Sequence, residues 1–450
     1  MSTPTPRLFT IPASVPFLAT LAQALLDGRL IAGFSPRGDP LALAGATVFL
    51  PTRRAGRLFA QALVEAAPEQ ASLLPRIVPL GDVDEDALAF AEASPEPPAP
   101  VPAMTRRLAL ASLVGRWRDR LNAGDARAAV AAGPGAGLAL ADALAELIDE
   151  MASGEVPWSR LDDLVPGEHD RYWDVALDFL KIARSAWPAF LIELGAVDAS
   201  VRRDRLIATE AERLATLGVA AGPVIAAGST GSMPATARLL AAVAGLPRGC
   251  VVLPGLDTGL DEPAFAQILE EPAPSHPQYG LARLLRTMGA VRADVMPLAP
   301  PAPHGREGLL SEALRPAGAT DAWARLGERL PEAARDAALA GLTIVEADDA
   351  REEALAIAVA LRETLEAPGR TAALVTSDRD LARRVAAELL RFGVAIDDSA
   401  GEPLSETPPG RFARLVAEAT AARLAPLPLV ALLRHPAARF GLEPPALAAA

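Results

Sequence analysis

Apolar residues in the first part of the chain fall into short runs, each followed by a longer stretch with helical spacing. LFTIP (8–12) is such a run, and SVPFLATLAQALLDG after it carries Phe17, Leu18, Leu21 and Leu25 on one helical face. This predicts a strand and then a helix capped by Ser14 and stopped at Gly28. ATVFLPT (46–52) and RRAGRLFAQALVEAA repeat the pair, and RIVPL (76–80) reads as a third strand. Strands and helices in alternation are the signature of a parallel α/β sheet.

The pattern then changes. EASPEPPAPVPAM (92–104) is proline-dense and reads as a linker or wrapped loop, and from Thr105 to about Leu217 the sequence is helical nearly throughout. Strands return with PVIAAG (223–228) and CVVLPGL (250–256), separated by the helix PATARLLAAVAGL. The helical stretch is therefore an insertion of small-domain size within one sheet. A second proline-rich segment, PLAPPAPHG (297–305), precedes a further βαβαβ pattern: LTIVEAD, AREEALAIAVALRETLE, TAALVTS, DRDLARRVAAELLRFG and VAIDD. A second α/β domain is expected to begin near residue 341, with too few elements after residue 400 to close it, as in a fragment of a longer protein.

Composition narrows the function classes. The chain has 450 residues, 51% of them apolar, enough for two or three domains. No apolar stretch reaches the roughly 20 residues that span a bilayer, and no export signal opens the sequence, so a soluble cytoplasmic protein without membrane contact is expected. Cys250 is the only cysteine, which excludes an intramolecular disulfide and any four-cysteine zinc or iron-sulfur site within this chain; it reads as a buried packing residue. The net charge of -13 argues against a generally basic coat, so a nucleic-acid contact has to come from local arginine clusters.

The only lysine is Lys181, preceded by Leu180. A Walker A loop requires GK[ST], because its lysine reaches the terminal phosphates while loop amides hold the others. No such loop exists here. DVDEDALAF (82–90) resembles an acidic metal or DExx segment, but without a phosphate loop to serve it reads as a solvated helix start. GPGAGLALADAL (133–144) has dinucleotide-loop glycines without a preceding strand and reads as a flexible linker. His169, His276, His304 and His435 show no metal-ligand spacing, and no GxSxG elbow supports a hydrolase.

Two segments sit where strands end and helices begin, at the rim that binds ligands in open α/β sheets. LPTRRAGRLF places Thr52, Arg53, Arg54 and Arg57 there, with guanidinium groups and helix-start amides suited to phosphate oxygens. VIAAGSTGSMPATARLL places Gly228, Ser229, Thr230 and Ser232 there, with Ser232 near the helix cap and Pro234 in the first turn. A solvated arginine face and a plain tight turn explain the same residues without a ligand. In the helical insertion Trp117, Trp158, Tyr172, Trp173 and Trp187 lie beside Arg106, Arg107, Arg116, Arg118 and Arg120; helix-core packing accounts for the aromatics better than stacking on bases.

IPASVPFLATLAQALLDG, VFLPTRRAGRLFAQAL, ASLLPRIVPLGDVDED, GPVIAAGSTGSMPATARLL, CVVLPGLDTGLDEP, HPQYGLARLL, AALVTSDRDLARRVAAELLRFGVAIDDSAG and PLSETPPGRFARL, taken as an ordered set over essentially the whole chain, resemble the AddB family of the alphaproteobacterial type. The resemblance implies a P-loop NTPase-like, superfamily 1 helicase-like α/β fold. Domain 1A would comprise 1–90 and 221–300, with a 1B-like helical insertion at 91–220, a linker and helix at 301–340, and the start of domain 2A at 341–450. It implies double-strand break repair with an AddA-like helicase-nuclease partner, DNA ends and single strands as ligands, and ATP and magnesium only in the partner. Residues 8–28 would occupy the Walker A position without its glycines or lysine. Thr52, Arg53, Arg54, Gly228, Ser229, Thr230, Ser232 and Arg379, the last in TSDRDLARR, would be the DNA-contact candidates. The family's nuclease domain and its four cluster cysteines are not in this sequence, so this chain is expected to be a catalytically silent scaffold that guides or scans a strand. A nucleotide hydrolase with a non-standard loop at GSTGSMP and a purely structural brace for AddA remain the alternatives.

Overall fold

The computed structural model describes residues 7–39, 41–67, 73–80, 97–123, 133–161, 171–270, 274–439 and 441. The chain divides into two compact units, Met1–Ala340 and Gly341–Ala450.

The first unit is built on a six-stranded, wholly parallel sheet in the order β3-β2-β4-β5-β1-β6. Its strands are β1 (Leu8–Ile11), β2 (Thr47–Leu50), β3 (Arg76–Pro79), β4 (Val224–Ala227), β5 (Gly249–Pro254) and β6 (Val295–Pro297). Five coincide with the runs read from sequence. β6 was not anticipated: only three residues pair, at the sheet edge, and the prolines that follow mask them. Register places Leu8 against both Val251 and Val295.

Helices cover both faces. α1 (Phe17–Leu26) and α2 (Arg53–Ala66) pack on the side of Phe9, Val48, Ile225 and Val252. α7 (Ala199–Leu217), α8 (Pro234–Gly245), α9 (Glu262–Glu270) and α10 (Tyr279–Thr287) pack on the side of Leu8, Phe49, Ala226 and Val251. Successive residues of a strand feed opposite cores, so each strand must be apolar at nearly every position.

The insertion comprises α3 (Ala103–Ala123), α4 (Pro134–Ser153), α5 (Arg171–Lys181), α6 (Trp187–Leu194) and α7. Its core gathers Leu110, Val114, Trp117, Leu144, Ile148 and Trp187. The expected flexible linker at 133–144 is instead the first half of α4. Pro134 at the first helical position supplies a preset φ, and Ala141, Leu144 and Ile148 bury one face against α3; this packing outweighs the entropic cost of Gly135 and Gly137. The described end of the proline-rich segment is wrapped against the insertion: Arg202 donates to the carbonyls of Pro97 and Pro98, and Pro100 bridges Val197. DVDEDALAF and His169 lie outside the described residues, as do the side chains of Tyr172 and Trp173.

After β6 the first unit ends in α11 (Arg306–Ala313), α12 (Leu326–Arg329) and α13 (Glu332–Leu339). The second unit carries α14 (Ala350–Thr364), α15 (Arg379–Arg391), α16 (Pro408–Ala421) and α17 (Pro426–Leu433). Asp349 and Asp378 cap α14 and α15, each accepting from two backbone amides. The predicted strands LTIVEAD, TAALVTS and VAIDD form no ladder: no strand is present among the described residues of this unit. Ala354, Ala358, Val385 and Leu389 form its small core, whereas Ile344 and Val375 are 89% and 94% exposed. No described helix is long and apolar enough to cross a membrane.

Candidate functional site

Ligands of open α/β sheets lie outside the carboxyl ends of strands where adjacent strands send their helices to opposite faces. This sheet has two such places. β2 leads to α2 on one face while its neighbour β4 leads to α8 on the other. Likewise β1 leads to α1 while β5 leads to α9 and α10.

The β2–β4 crevice holds most of the sequence candidates. Thr52 is the N-cap of α2, its Oγ1 accepting from the Ala55 amide at 3.1 Å. That cap sets the start of the helix and puts Arg53 and Arg54 in its first turn and Arg57 one turn later, all exposed to solvent. No acid stands in that first turn. Cations at a helix N-terminus gain nothing from the macrodipole, so the dipole does not account for these arginines.

Opposite lies GSTGSMP. Gly228 has φ +77°, and a Cβ there would sit 3.3 Å from Phe17 Cε1 and 3.4 Å from Pro51 Cδ. Gly231 has φ +61°, and a Cβ there would sit 2.8 Å from Leu284 Cδ1. Both positions require glycine on conformational and steric grounds. Ser229 Oγ accepts from the Gly231 amide at 3.2 Å, Thr230 and Ser232 are exposed, and α8 starts with Pro234 after an N-cap, Met233, that makes no side-chain capping bond. Ser232 immediately precedes the cap and does not serve as one.

A third wall was missed in the sequence. In PSHPQYG, Gln278 Oε1 accepts from the Asp257 amide at 2.9 Å and its Nε2 donates to the Gly255 carbonyl at 3.0 Å, fixing the loop after β5. His276 Nδ1 accepts from the Gln278 amide at 3.1 Å, which leaves Nε2 to donate to the Leu314 carbonyl at 2.7 Å. A Cβ on Gly280 would lie 3.5 Å from Thr230 Cβ, so this segment abuts GSTGSMP. The available signal was a glutamine between proline and tyrosine in a loop, which carries no periodicity.

The insertion reaches the same rim. Arg238 of α8 meets Glu155 through bonds of 2.9 and 2.5 Å, and Arg203 of α7 donates to Ser153 Oγ at 2.8 Å and to Met233 Sδ at 3.3 Å. The aromatic-arginine cluster of the insertion is largely structural. Trp117 and Trp187 are buried, Trp117 edge-on to Phe179 and Trp187 stacked with Phe190. Arg107 pairs bidentately with Asp142, and Arg106 with Asp149, while Arg116 and Arg120 are exposed. Lys181 ends α5 in an ion pair with Asp178 at 3.0 Å.

The β1–β5 crevice is occupied differently, by the chain itself. Ser14 does not cap α1, whose N-cap is Pro16. The Ser14 amide instead donates to Glu307 Oε1 at 2.8 Å, and its Oγ accepts from the Ala302 amide at 2.8 Å.

Arg379 belongs to the second unit, at the start of α15. Its guanidinium binds Asp398 at 3.2 and 2.5 Å and donates to the Gly401 carbonyl at 3.2 Å, so it braces the turn Asp398–Gly401. This hydrogen bonding by Arg379 holds the Asp398 carboxyl below its ordinary range. Among the described residues no group of three or more His, Cys, Asp or Glu is placed to hold a metal ion. No protein-family model matches the chain, and no curated protein matches it.

Proposed function

We propose that the chain is a DNA-binding, catalytically silent helicase-like subunit of an AddAB-type complex, in which the β2–β4 crevice of a P-loop NTPase-like sheet meets the phosphate backbone of a DNA strand. The observation that carries the reading is convergence. PTRRAGR and GSTGSMP, far apart in sequence and separated by the whole insertion, meet at one rim, where Gly228 packs against Pro51 and the helix that follows Pro51 carries the exposed Arg53, Arg54 and Arg57. Backbone amides, hydroxyls and guanidinium groups are the donors that grip phosphodiesters without reading sequence. Silence at the first loop agrees with a chain whose only lysine is Lys181. The partner, an AddA-like subunit, and double-strand break repair rest on the ordered motif resemblance.

The test is a binding titration on duplex ends and single strands, with and without an AddA-like partner, across a salt series. Arg53→Glu with Arg54→Glu is expected to weaken retention tenfold or more and to flatten the salt dependence, because phosphate contacts release counterions. No binding at low salt under either condition would overturn the reading. Binding that survives the double reversal would favour a brace for the partner, and ATP turnover abolished by Ser229→Ala or Thr230→Ala would favour a nucleotide hydrolase.

A further inference from the structure

The two crevices of the sheet differ in one respect. At the β2–β4 crevice Thr52, Thr230 and Ser232 are exposed, but the β1–β5 crevice is crossed by the chain itself. The loop after β6 crosses it, tied by the Ala302 amide to Ser14 Oγ at 2.8 Å, and α11 then lays Glu307 on the Ser14 amide at 2.8 Å. One turn further along α11, Ser311 stands over the loop after β5, its Oγ 3.7 Å from where a Cβ on Gly259 would be. Ser311 is 8% exposed, and its Oγ has no hydrogen-bond partner among the described residues.

We propose that residues 299–313 form a built-in plug, with the Glu307 carboxylate held where an oxyanion would otherwise bind, and that this plug closes the β1–β5 crevice to phosphate groups. The donors for an oxyanion are in place beneath it. The Ser14 amide already grips a carboxylate oxygen. α1 begins there with no side-chain cap and no acid in its first turn, so its first amides lack intrahelical acceptors. The Ser311 hydroxyl, on the plug itself, adds a buried donor beside the loop after β5 that has no acceptor among the described residues. Against this set stands one negative charge, supplied in cis, which satisfies the Ser14 amide and repels any second anion.

Helix α11 is pinned at its start and just beyond its end. Arg306 donates to the Ala338 and Ala340 carbonyls at 3.0 and 2.5 Å, and Arg315 binds Asp261 at 2.5 Å and Glu312 at 2.8 Å. These ties do not involve the Glu307 side chain, so removing its carboxylate leaves α11 attached while freeing the Ser14 amide. No phosphate transfer is expected to follow, since no lysine lies in the loop.

The experiment is a thermal-shift titration of the full chain with pyrophosphate, against sodium chloride at matched ionic strength; it uses no DNA and does not depend on the DNA-binding reading. Wild type is expected to show no saturable stabilisation. Glu307→Ala is expected to gain one, with a half-saturation at least tenfold below any wild-type response. Glu307→Gln, whose amide oxygen still accepts from Ser14, is expected to stay near wild type. Folded Glu307→Ala without a pyrophosphate response, or wild type responding equally, overturns the proposal. If Glu307→Ala does not fold, Ser14→Ala decides: it keeps the backbone amide and cuts the tie to Ala302, so a smaller gain in pyrophosphate response supports the plug and an unchanged response overturns it.

Discussion

Arg238 and Glu155, 83 residues apart, join the insertion to the helix that follows the glycine-rich rim loop, and Glu155 makes this contact from a backbone with φ +53°. A non-glycine residue in that region carries strain of about 1–2 kcal/mol. The hydrogen bond from Arg238 lowers the Glu155 pKa, but both side chains are about half exposed, 47% and 45%, so screening leaves the pair little net worth. Glu155→Gly is therefore expected to be more stable than Glu155→Ala by about 1 kcal/mol, both having lost the pair. Urea denaturation of the two variants checks this, and equal midpoints would remove strain as the explanation.

The interior of the insertion is held by a polar network. Arg106 Nε lies 2.8 Å from Asp198 Oδ1, Trp187 Nε1 donates to Asp198 Oδ2 at 2.9 Å, and Ser200 donates to Asp149 at 2.6 Å. Burial raises the Asp198 pKa, against the hydrogen bond from Trp187 and the charge of Arg106. Removing one partner of a buried pair strands the other, so Arg106→Met is expected to cost about 3–5 kcal/mol. The double variant Arg106→Met with Asp198→Asn should recover part of that loss. Tryptophan fluorescence in urea reports it directly, since Trp187 sits in the network.

At the rim, Gly231→Ala is expected to destabilise by about 1–3 kcal/mol, combining positive-φ strain with the approach to Leu284. Gly231→Ala with Leu284→Ala relieves only the steric part. A double-mutant cycle on thermal unfolding separates the two contributions.

Cys250 lies in β5 with no exposed surface, and burial pushes its thiol up to about 12. A buried neutral thiol is inert, so the native protein should not react with a thiol-specific reagent over the period in which the urea-unfolded chain reacts completely. Rapid labelling of native protein would contradict the closed core on that face of the sheet.

Glu312 accepts hydrogen bonds from Arg315 and Arg329, and these lower its pKa despite burial. A carboxylate depressed on folding stabilises above its unfolded pKa of 4.5, and the contribution is lost as pH falls through the lower folded value. Glu312→Gln should therefore be destabilising at pH 7, and the difference from wild type should shrink as pH is lowered below about 4.5. Denaturation midpoints across that range measure it; a difference constant with pH would exclude the ion pair as its source.

Much of the fold was legible because apolar runs such as Val224–Ala227 and Gly249–Pro254 are buried on both sides and announce themselves without context. β6 was not, since three edge residues followed by prolines carry too little pattern. Residues 134–144 misled because glycine content speaks for loops, whereas Ala141 and Leu144 gain more by packing on α3 than the glycines lose. In the second unit the apolar segments around Ile344 and Val375 carry strand-like sequence without a paired neighbour, because a strand is completed by hydrogen bonds to another segment.

The sequence by itself determined the parallel α/β character of the first unit, the helical insertion, the absence of a Walker A lysine, and the placement of Thr52 and Gly228 at strand ends. Those properties reside in local periodicity and residue counts. Only the tertiary structure decided that Gly228 meets Pro51, that Gln278 locks the neighbouring loop, and that Glu307 accepts from the Ser14 amide after β1. Contacts between segments so distant in the chain depend on strand order and on which face each helix takes, and neither leaves a mark in the residues that finally touch.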